Sequence, residues 1–310
     1  MGSSSAPSVA ILMCTYNGAK YIKEQLDSFE AQTHENWRLV VSDDGSTDET
    51  IDILHDYQHR WGEDRLIIQS GPKRGFAANF LTLASDALIQ ADYYAFSDQD
   101  DVWLPKKLEA AVDFLSSVYP LVPQVYGGRT IYVDESLNEI GRSQVFAYPP
   151  SFRNALVQSI VGGNTIVFNH STKTLFEKVG VLEIVSHDWW TYMLVEGVGG
   201  YVHFDPEPYI LYRQHPGALV GANTDLRAMW IRFCMLIQGK FKVWNTTNAN
   251  ALLKIRHLLN KRNVDIIEEF FRLRDSGFVA RIRMLNVCGL FRQGWRGNAS
   301  LLLAVILKKI

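Results

Sequence analysis

Cysteine is scarce in this 310-residue chain, and its three copies, Cys14, Cys234 and Cys288, are far apart and show no CxxC spacing. That excludes a disulfide framework and a cysteine-ligated structural zinc, and it points to a reducing compartment. Long hydrophobic runs are lacking too: the longest, Leu301 to Leu307, falls far short of the roughly 20 residues that span a bilayer. No signal peptide is visible, and Ala6 stands where an N-myristoylation signal wants a hydroxyl residue. A cytoplasmic protein is therefore expected. There is no internal repeat and no low-complexity segment. No G-x-G-x-x-G follows the first strand-like run, which removes a Rossmann dehydrogenase from consideration.

What is present suits a folded protein. Hydrophobic residues make up 47% of the chain and charged residues 21%, enough for a sizeable core and too little charge for disorder. The net charge of −2 hides an asymmetry. Residues 222 to 310 hold 16 Lys and Arg against 5 Asp and Glu, and the first 221 hold 15 against 28. A division into a 1–221 domain and a basic, mainly helical 222–310 region is expected. A basic region of this kind suits anionic lipid headgroups rather than nucleic acid.

The first 120 residues alternate strand and helix. Val9 to Met13, Trp37 to Ser42, Leu66 to Gln69 and Tyr93 to Phe96 read as buried strands. Helical patterns lie between them: Ile22, Leu26 and Phe29; Ile51, Leu54 and Tyr57 behind a capping box at Ser46 to Glu49; and Phe76, Phe80, Leu83 and Leu88 on an inward face from Gly75 to Gln90. Pro105 opens a fourth helix carrying Leu108, Val112 and Leu115. This alternation predicts a parallel sheet with helices on both faces. Further on, Val125 to Val133 and Thr165 to Asn169 read as strands and Asp188 to Glu196 as a helix. Tyr201 to Phe204 and Tyr209 to Tyr212 read as a final strand pair. Beyond residue 224 the chain reads as helices, with Phe278, Ile282 and Leu285 on one face.

Three polar clusters follow strands directly: Thr15-Tyr16-Asn17-Gly18, Asp43-Asp44-Gly45-Ser46 and Asp98-Gln99-Asp100-Asp101. In an open parallel sheet all three emerge at the carboxyl edge, where ligands bind. Carboxylates gathered there repel one another unless a cation sits among them. Asp98 and Asp100 are candidate ligands for Mn²⁺ or Mg²⁺, which in turn bind substrate phosphates. Asp48 and Asp101 read equally well as loop or cap residues. Asp43 or Asp44 can bond a base or ribose, and one of them can form an Asx-turn before Gly45. Thr15 and Tyr16 can bond and stack on a base, or serve as strand cap and core ring. Arg74 opens a helix whose N-terminus attracts anions, or is simply solvated.

Cys14-Thr15-Tyr16-Asn17-Gly18, Asp43-Asp44-Gly45-Ser46-Thr47-Asp48, Phe96-Ser97-Asp98-Gln99-Asp100-Asp101-Val102-Trp103, His187-Asp188-Trp189-Trp190 and Tyr212-Arg213-Gln214-His215 together resemble glycosyltransferase family 2. The resemblance covers about residues 8 to 221 and is strongest to its rhamnosyltransferase-like branch. It implies an α/β GT-A fold, a nucleotide-diphospho-sugar donor and inversion at the anomeric carbon. Thr15, Tyr16 and Asp43 would contact the nucleoside. Asn17, Asp44, Arg74, Asn79, Asp98 and Gln99 would complete the donor site. Asp98 and Asp100 would form the metal-binding DXD motif, with His215 reaching the metal or the diphosphate. Asp188 takes the place of the catalytic base, with an N-cap as the alternative reading. Gly163, Asn164, Trp189 and Trp190 are expected at the acceptor, although a tight turn and core packing explain the same residues.

The branch resemblance implies L-rhamnose from dTDP-L-rhamnose, moved to a saccharide or lipid-linked acceptor in cell-surface polysaccharide synthesis. A UDP-sugar donor carrying glucose, galactose or N-acetylglucosamine stays open, as does a non-catalytic nucleotide-binding scaffold. Phe291 and Trp295 lie among basic residues of the C-terminal region. They suit peripheral docking on the inner face of a membrane or, alternatively, helical packing that forms a homo-oligomer.

Overall fold

The computed structural model describes residues 6–215 and 234–310. A seven-stranded central sheet contains β1 (Val9–Thr15), β2 (Trp37–Asp43), β3 (Leu66–Ser70), β4 (Tyr93–Ser97), β6 (Gln124–Gly128), β9 (Val167–Asn169) and β10 (Tyr201–Asp205). Their order is β10-β6-β9-β4-β1-β2-β3. A second sheet, in the order β5-β11-β7-β8, contains β5 (Val102–Trp103), β7 (Ile131–Val133), β8 (Glu139–Arg142) and β11 (Ile210–Arg213).

The period-2 geometry of a strand sends alternate side chains to opposite faces. In β1, Val9, Ile11 and Met13 enter one hydrophobic core, and Ala10, Leu12 and Cys14 enter the other. The first core is closed by α1 (Ile22–Glu30), α2 (Thr50–Trp61) and α4 (Lys107–Ser117). The second is closed by α3 (Phe76–Ser85), α5 (Phe152–Ala155), α6 (His170–Val179) and α7 (His187–Val198). It continues without a break into α8 (Lys240–Lys254), α9 (Lys261–Asp275), α10 (Phe278–Cys288) and α11 (Gly294–Ile306). Leu252, Phe270, Leu273 and Val305 are fully buried there, each at about 1.5–3 kcal/mol of apolar burial. The domain boundary expected at 221/222 lies outside the described residues.

Several expectations need correction. The strands of the first 120 residues pair in parallel as expected, but the sheet as a whole is mixed, because β9 runs antiparallel to both β4 and β6. After β6 the chain passes through β7, β8 and α5 and returns through a 3-10 turn at Gly163–Thr165. It therefore fills the slot between β4 and β6 from the opposite end. Strands β10 and β11 do not pair. One joins β6 and the other joins β5 and β7. Pro206 and Pro208 lie between them, and each removes a backbone donor that a tight hairpin would use.

The capping box at Ser46 to Glu49 does not form. The Ser46 hydroxyl donates to Asp43, and α2 begins at Thr50. Helix α3 stops at Ser85, where the Asp86 carboxylate accepts from the Leu88 amide. Leu88 therefore leaves the helical phase and is 88% exposed rather than inward, and Phe76 is also exposed. In α10 it is Arg281 that is buried and Phe278 that faces out.

Helix α7 is held at both ends by the C-terminal helices. The Asn248 side chain accepts from the Val185 amide just before α7. The Asn263 amide donates to the carbonyls of Glu196 (2.8 Å) and Gly197 (3.0 Å). Those two carbonyls are among the four a helix C-terminus leaves without internal partners.

Candidate active site

Parallel register brings the predicted clusters to one edge. Thr15 pairs with Asp43 across β1 and β2, and Met13 pairs with Ser97 across β1 and β4. The carboxylate of Asp43 organises the turn after β2. Its Oδ1 accepts from the amides of Gly45 (3.0 Å) and Ser46 (2.8 Å). Its Oδ2 accepts from the hydroxyls of Thr15 (2.8 Å) and Ser46 (2.5 Å). The turn needs Gly45, whose φ is 101°. Asp44 accepts from the amides of Lys73 (2.6 Å) and Gly75 (2.8 Å) and so holds the loop that opens α3. Arg74 stands exposed on that loop.

Tyr16 is 59% exposed, and its ring presents a free face beside this edge. Its backbone is locked to the turn after β4: its amide donates to Gln99 Oε1 (2.9 Å) and its carbonyl accepts from Gln99 Nε2 (3.0 Å). A side chain at Gly18 would overlap Gln99. Asn17 accepts from the Thr47 amide at 2.8 Å. Asn79 lies just behind the edge, against Gly71 and beside Asp43 and Asp44. It is buried, with its amide group spent on the hydroxyl (2.5 Å) and carbonyl (2.9 Å) of Ser42.

The Asp98 to Asp101 segment is the bridge between the two sheets, leaving β4 and entering β5. Because β11 pairs with β5 and β7, the residues leaving β11 meet this bridge. Asp101 is fully buried. Its carboxylate accepts from Asn164 Nδ2 (2.5 Å) and the Arg213 amide (3.2 Å). Arg213, also buried, donates from Nε to the Asp100 carbonyl (3.0 Å) and from Nη1 to the Glu135 carbonyl (2.6 Å). Its remaining nitrogen pairs with Glu24. His215 Nε2 lies 2.9 Å from Asp100 Oδ2. The expected acceptor residue Asn164 thus holds the bridge rather than presenting a free amide.

The electrostatics show how close these carboxylates are. Burial pushes Asp98 up to about 7, and the charges of Asp100 and then Asp188 push in the same direction. Asp101 is raised well above the usual carboxylate range by burial, then by Asp100 and Asp98. The charge of Asp188, on the first turn of α7, thus acts on Asp98 together with that of Asp100. Asp188 occupies the second helical position, and Ser186 is the N-cap. The N-cap reading of Asp188 does not hold. Among the described residues none donates a hydrogen bond to its carboxylate.

His187, just before it, is buried, stacks on Phe80 with centroids 3.8 Å apart and has no hydrogen-bond partner. Burial pushes its imidazole down to about 4. A side chain at Gly163 would overlap this ring, so Gly163 admits His187 and with it the start of α7. Trp190 is fully buried, and Trp189 is buried with its indole N–H donating to the Ala155 carbonyl (2.6 Å). Neither ring presents a face to the cleft, because both pack in the core.

A cleft of about 400 Å³ opens at this edge, lined by Asn17, Gly18, Lys20, Tyr21, Gln99, Asp100, Glu135 and His215. Lys20, Tyr21 and Glu135 were not singled out from the sequence. Lys20 and Tyr21 stand just past a recognised motif, which is a usable signal. Glu135 comes from the second sheet's β7–β8 connection and carries no such signal. Lys20 Nζ pairs with Glu135 at 2.5 Å across the cleft. Among the described residues no three His, Cys, Asp or Glu side chains converge closely enough to hold a metal ion unaided.

This arrangement, with loops from β1, β2 and β4 meeting an acidic bridge and a carboxylate from a separate helix, is that of a GT-A glycosyltransferase. The family model for glycosyl transferase family 2 matches residues 10–179, and the chain belongs to that family. It is 30% identical over 306 residues to the dTDP-rhamnosyl transferase RfbG of Shigella flexneri, covering 89% of this chain and 100% of that protein. It also resembles S. aureus TarS 1-349 in complex with UDP-GlcNAc, with a TM-score of 0.57 and 18% identity over 91% of this chain and 80% of that one. The mannosyltransferase PcManGT from Pyrobaculum calidifontis, in complex with GDP-Man and Mn²⁺, gives 0.53 and 17% over 99% and 88%. At these identities the two structures speak for the fold alone.

Proposed function

We propose that this glycosyltransferase moves L-rhamnose from dTDP-L-rhamnose to a hydroxyl of a saccharide or lipid-linked acceptor, with inversion and with Mn²⁺ or Mg²⁺ bound. The mechanism is supported by the position of Asp98 and Asp100 directly after β4 at the carboxyl edge of the sheet, with the charges of Asp100 and Asp188 both acting on Asp98. The similarity to a dTDP-rhamnosyl transferase supports the donor.

The residues present fit a divalent cation. Asp98 is pushed up to about 7 by burial and two neighbouring carboxylates, a surplus of negative charge that a cation relieves. Asp98 and Asp100 would hold it, with His215 beside Asp100, and phosphates and water would complete the shell. A cation there supplies charge neutralisation for the departing diphosphate. Tyr16, with Thr15 and Asp43 behind it, takes the nucleoside, and Lys20 turns from Glu135 to the diphosphate. Asp188 accepts the acceptor hydroxyl's proton as that oxygen bonds to the anomeric carbon. The bond from that carbon to the phosphate oxygen breaks on the opposite face, leaving a nucleoside diphosphate and an inverted glycoside.

Thermal shifts with dTDP, UDP and GDP, each with and without Mn²⁺, test the donor. A metal-dependent shift specific to dTDP is expected. A UDP preference would keep the mechanism and discard rhamnose. No shift with any nucleotide would remove the donor site and favour a scaffold. Asp188→Asn is expected to lower kcat by about 10²–10⁴-fold with the nucleotide shift unchanged. Undiminished transfer would end the assignment of Asp188 as base.

A further inference from the structure

The C-terminal helices use one side to close the core, which leaves the outer side of α11 to be explained. Leu301, Ala304 and Val305 face inward. On the opposite side Trp295 is 75% exposed, Leu302 41% and Ile306 38%. With exposed Ala299 these fall at intervals of four, three and four residues, a single stripe on a helix. Isolated exposed apolar residues need no explanation, but a stripe headed by a tryptophan does. The neighbouring α10, which packs against α11, adds exposed Val279, Arg283 and Val287.

The charge along this segment of the chain is of one sign. Residues 276 to 310 hold six basic residues, Arg281, Arg283, Arg292, Arg296, Lys308 and Lys309, and no Asp or Glu. Arg281 and Arg292 are spent internally, donating to the carbonyls of Val305 and Val157 at 2.9 Å. Arg283, Arg296 and Lys308 are exposed. A second copy of this surface would set like charges against like. Among the described residues no helix is long and apolar enough to cross a membrane, so any membrane contact made by these helices is lateral.

We propose that the outer face of α11 docks on an anionic lipid bilayer, with Trp295, Leu302 and Ile306 at the headgroup boundary and Arg296 and Lys308 on lipid phosphates. Tryptophan favours that boundary, because its ring is apolar and its N–H is polar. Basic side chains beside it gain from the negative surface potential. The turn into α11 is fastened to the segment that leads to Gly163, the glycine that admits His187 at the start of α7. Gln293 and Tyr148 exchange two hydrogen bonds (3.0 and 2.8 Å). Asn154 donates to the Phe291 carbonyl at 3.0 Å. Docking through α11 therefore fixes the 148–158 segment, and Gly163 beyond it, relative to the lipid surface.

The test is flotation of the full chain with vesicles of phosphatidylcholine alone and of phosphatidylcholine mixed with phosphatidylglycerol. Truncation at residue 222 would be uninformative, because it removes about a third of the buried residues of a core. The intact protein should float with the anionic vesicles and be released by salt. Trp295→Ser should weaken partitioning by roughly tenfold, and Trp295→Phe should largely restore it. Brominated lipid should quench a fluorescence component that Trp295→Phe lacks. Equal flotation of wild type and Trp295→Ser, or equal binding to uncharged vesicles, would overturn the proposal. So would a concentration-dependent dimer in solution that the same substitution abolishes. Circular dichroism and the nucleotide thermal shift check that the variants are folded. The docking proposal does not depend on which sugar is transferred, so a failed nucleotide shift and failed flotation are separate results.

Discussion

The two faces of the central sheet are closed from different distances along the chain. Helices α1, α2 and α4, all within residues 22 to 117, cover one face. The other is covered by α3, α5, α6 and α7 and then by α8 to α11, from residues 240 to 306. The first face can assemble as each strand–helix unit forms. The second is complete only when the end of the chain returns. The basic C-terminal region is thus part of the wall behind α7, the helix that carries Asp188, even though its composition sets it apart.

The largest effect that tests this contrast is expected from Phe270→Ala in α9. Phe270 is fully buried in the second core, and such a truncation costs about 3–5 kcal/mol. If the C-terminal helices belong to the wall, denaturant unfolding should show one transition shifted to lower midpoint, and the dTDP shift should fall with it. An unchanged main transition would mean that the two regions unfold independently. Asn263→Ala is expected to cost less, about 1–3 kcal/mol, by removing two hydrogen bonds from the end of α7, where the Glu196 and Gly197 carbonyls keep the amides of Gly199 and Asn260. Because α7 begins at the site, kcat should fall more than stability alone explains. Equal effects on kcat and on folded fraction would remove that link.

The same contrast decides what could be read from the sequence. The strands and helices of the first face follow short periodic runs, and Leu26, Phe29, Leu54, Leu108 and Val112 all enter the expected core. The three polar clusters could be located because each directly follows a strand. What escaped depends on partners far along the chain. Asp101 looks like a loop residue until Asn164 and Arg213 are brought to it. Trp189 and Trp190 look like sugar platforms until they are drawn into the core, where the Ala155 carbonyl of α5 takes the Trp189 indole N–H. Arg281 looks solvated, yet its guanidinium is drawn inward by the Val305 carbonyl.

A smaller effect, dependent on pH, is expected at Glu196 near the end of α7. Burial pushes its carboxyl up to about 7, against a hydrogen bond from the Phe152 amide. The charged form also sits at a helix C-terminus, where the dipole disfavours it. The folded state therefore holds this proton more tightly than the unfolded chain does, from pH 4.5 to about 7. Stability falls as pH rises through that window. Glu196→Gln keeps the shape and removes the charge, so it should match wild type below the window and exceed it by about 1–2 kcal/mol above it. Unfolding midpoints at acid and alkaline pH give the comparison. A constant difference across the range would mean that the carboxyl does not titrate as described.

The smallest effect is expected at Leu88, and it separates pattern from packing. Helical spacing places Leu88 with Phe80 and Leu83 on the inward side. The Asp86 carboxylate instead captures the Leu88 amide at 2.9 Å and ends α3 before that phase is reached. Leu88→Ser should then change stability by no more than about 0.5 kcal/mol, as an ordinary surface substitution does. Asp86→Ala removes the capturing carboxylate, while the Lys173 ammonium keeps its bond to the Asp86 carbonyl. In that background Leu88→Ser should become more costly if α3 extends and turns Leu88 inward. The double-mutant cycle reads this directly as a coupling between residues 86 and 88. No coupling, with Leu88→Ser neutral in both backgrounds, would place the helix stop in the tertiary packing and not in the local bond.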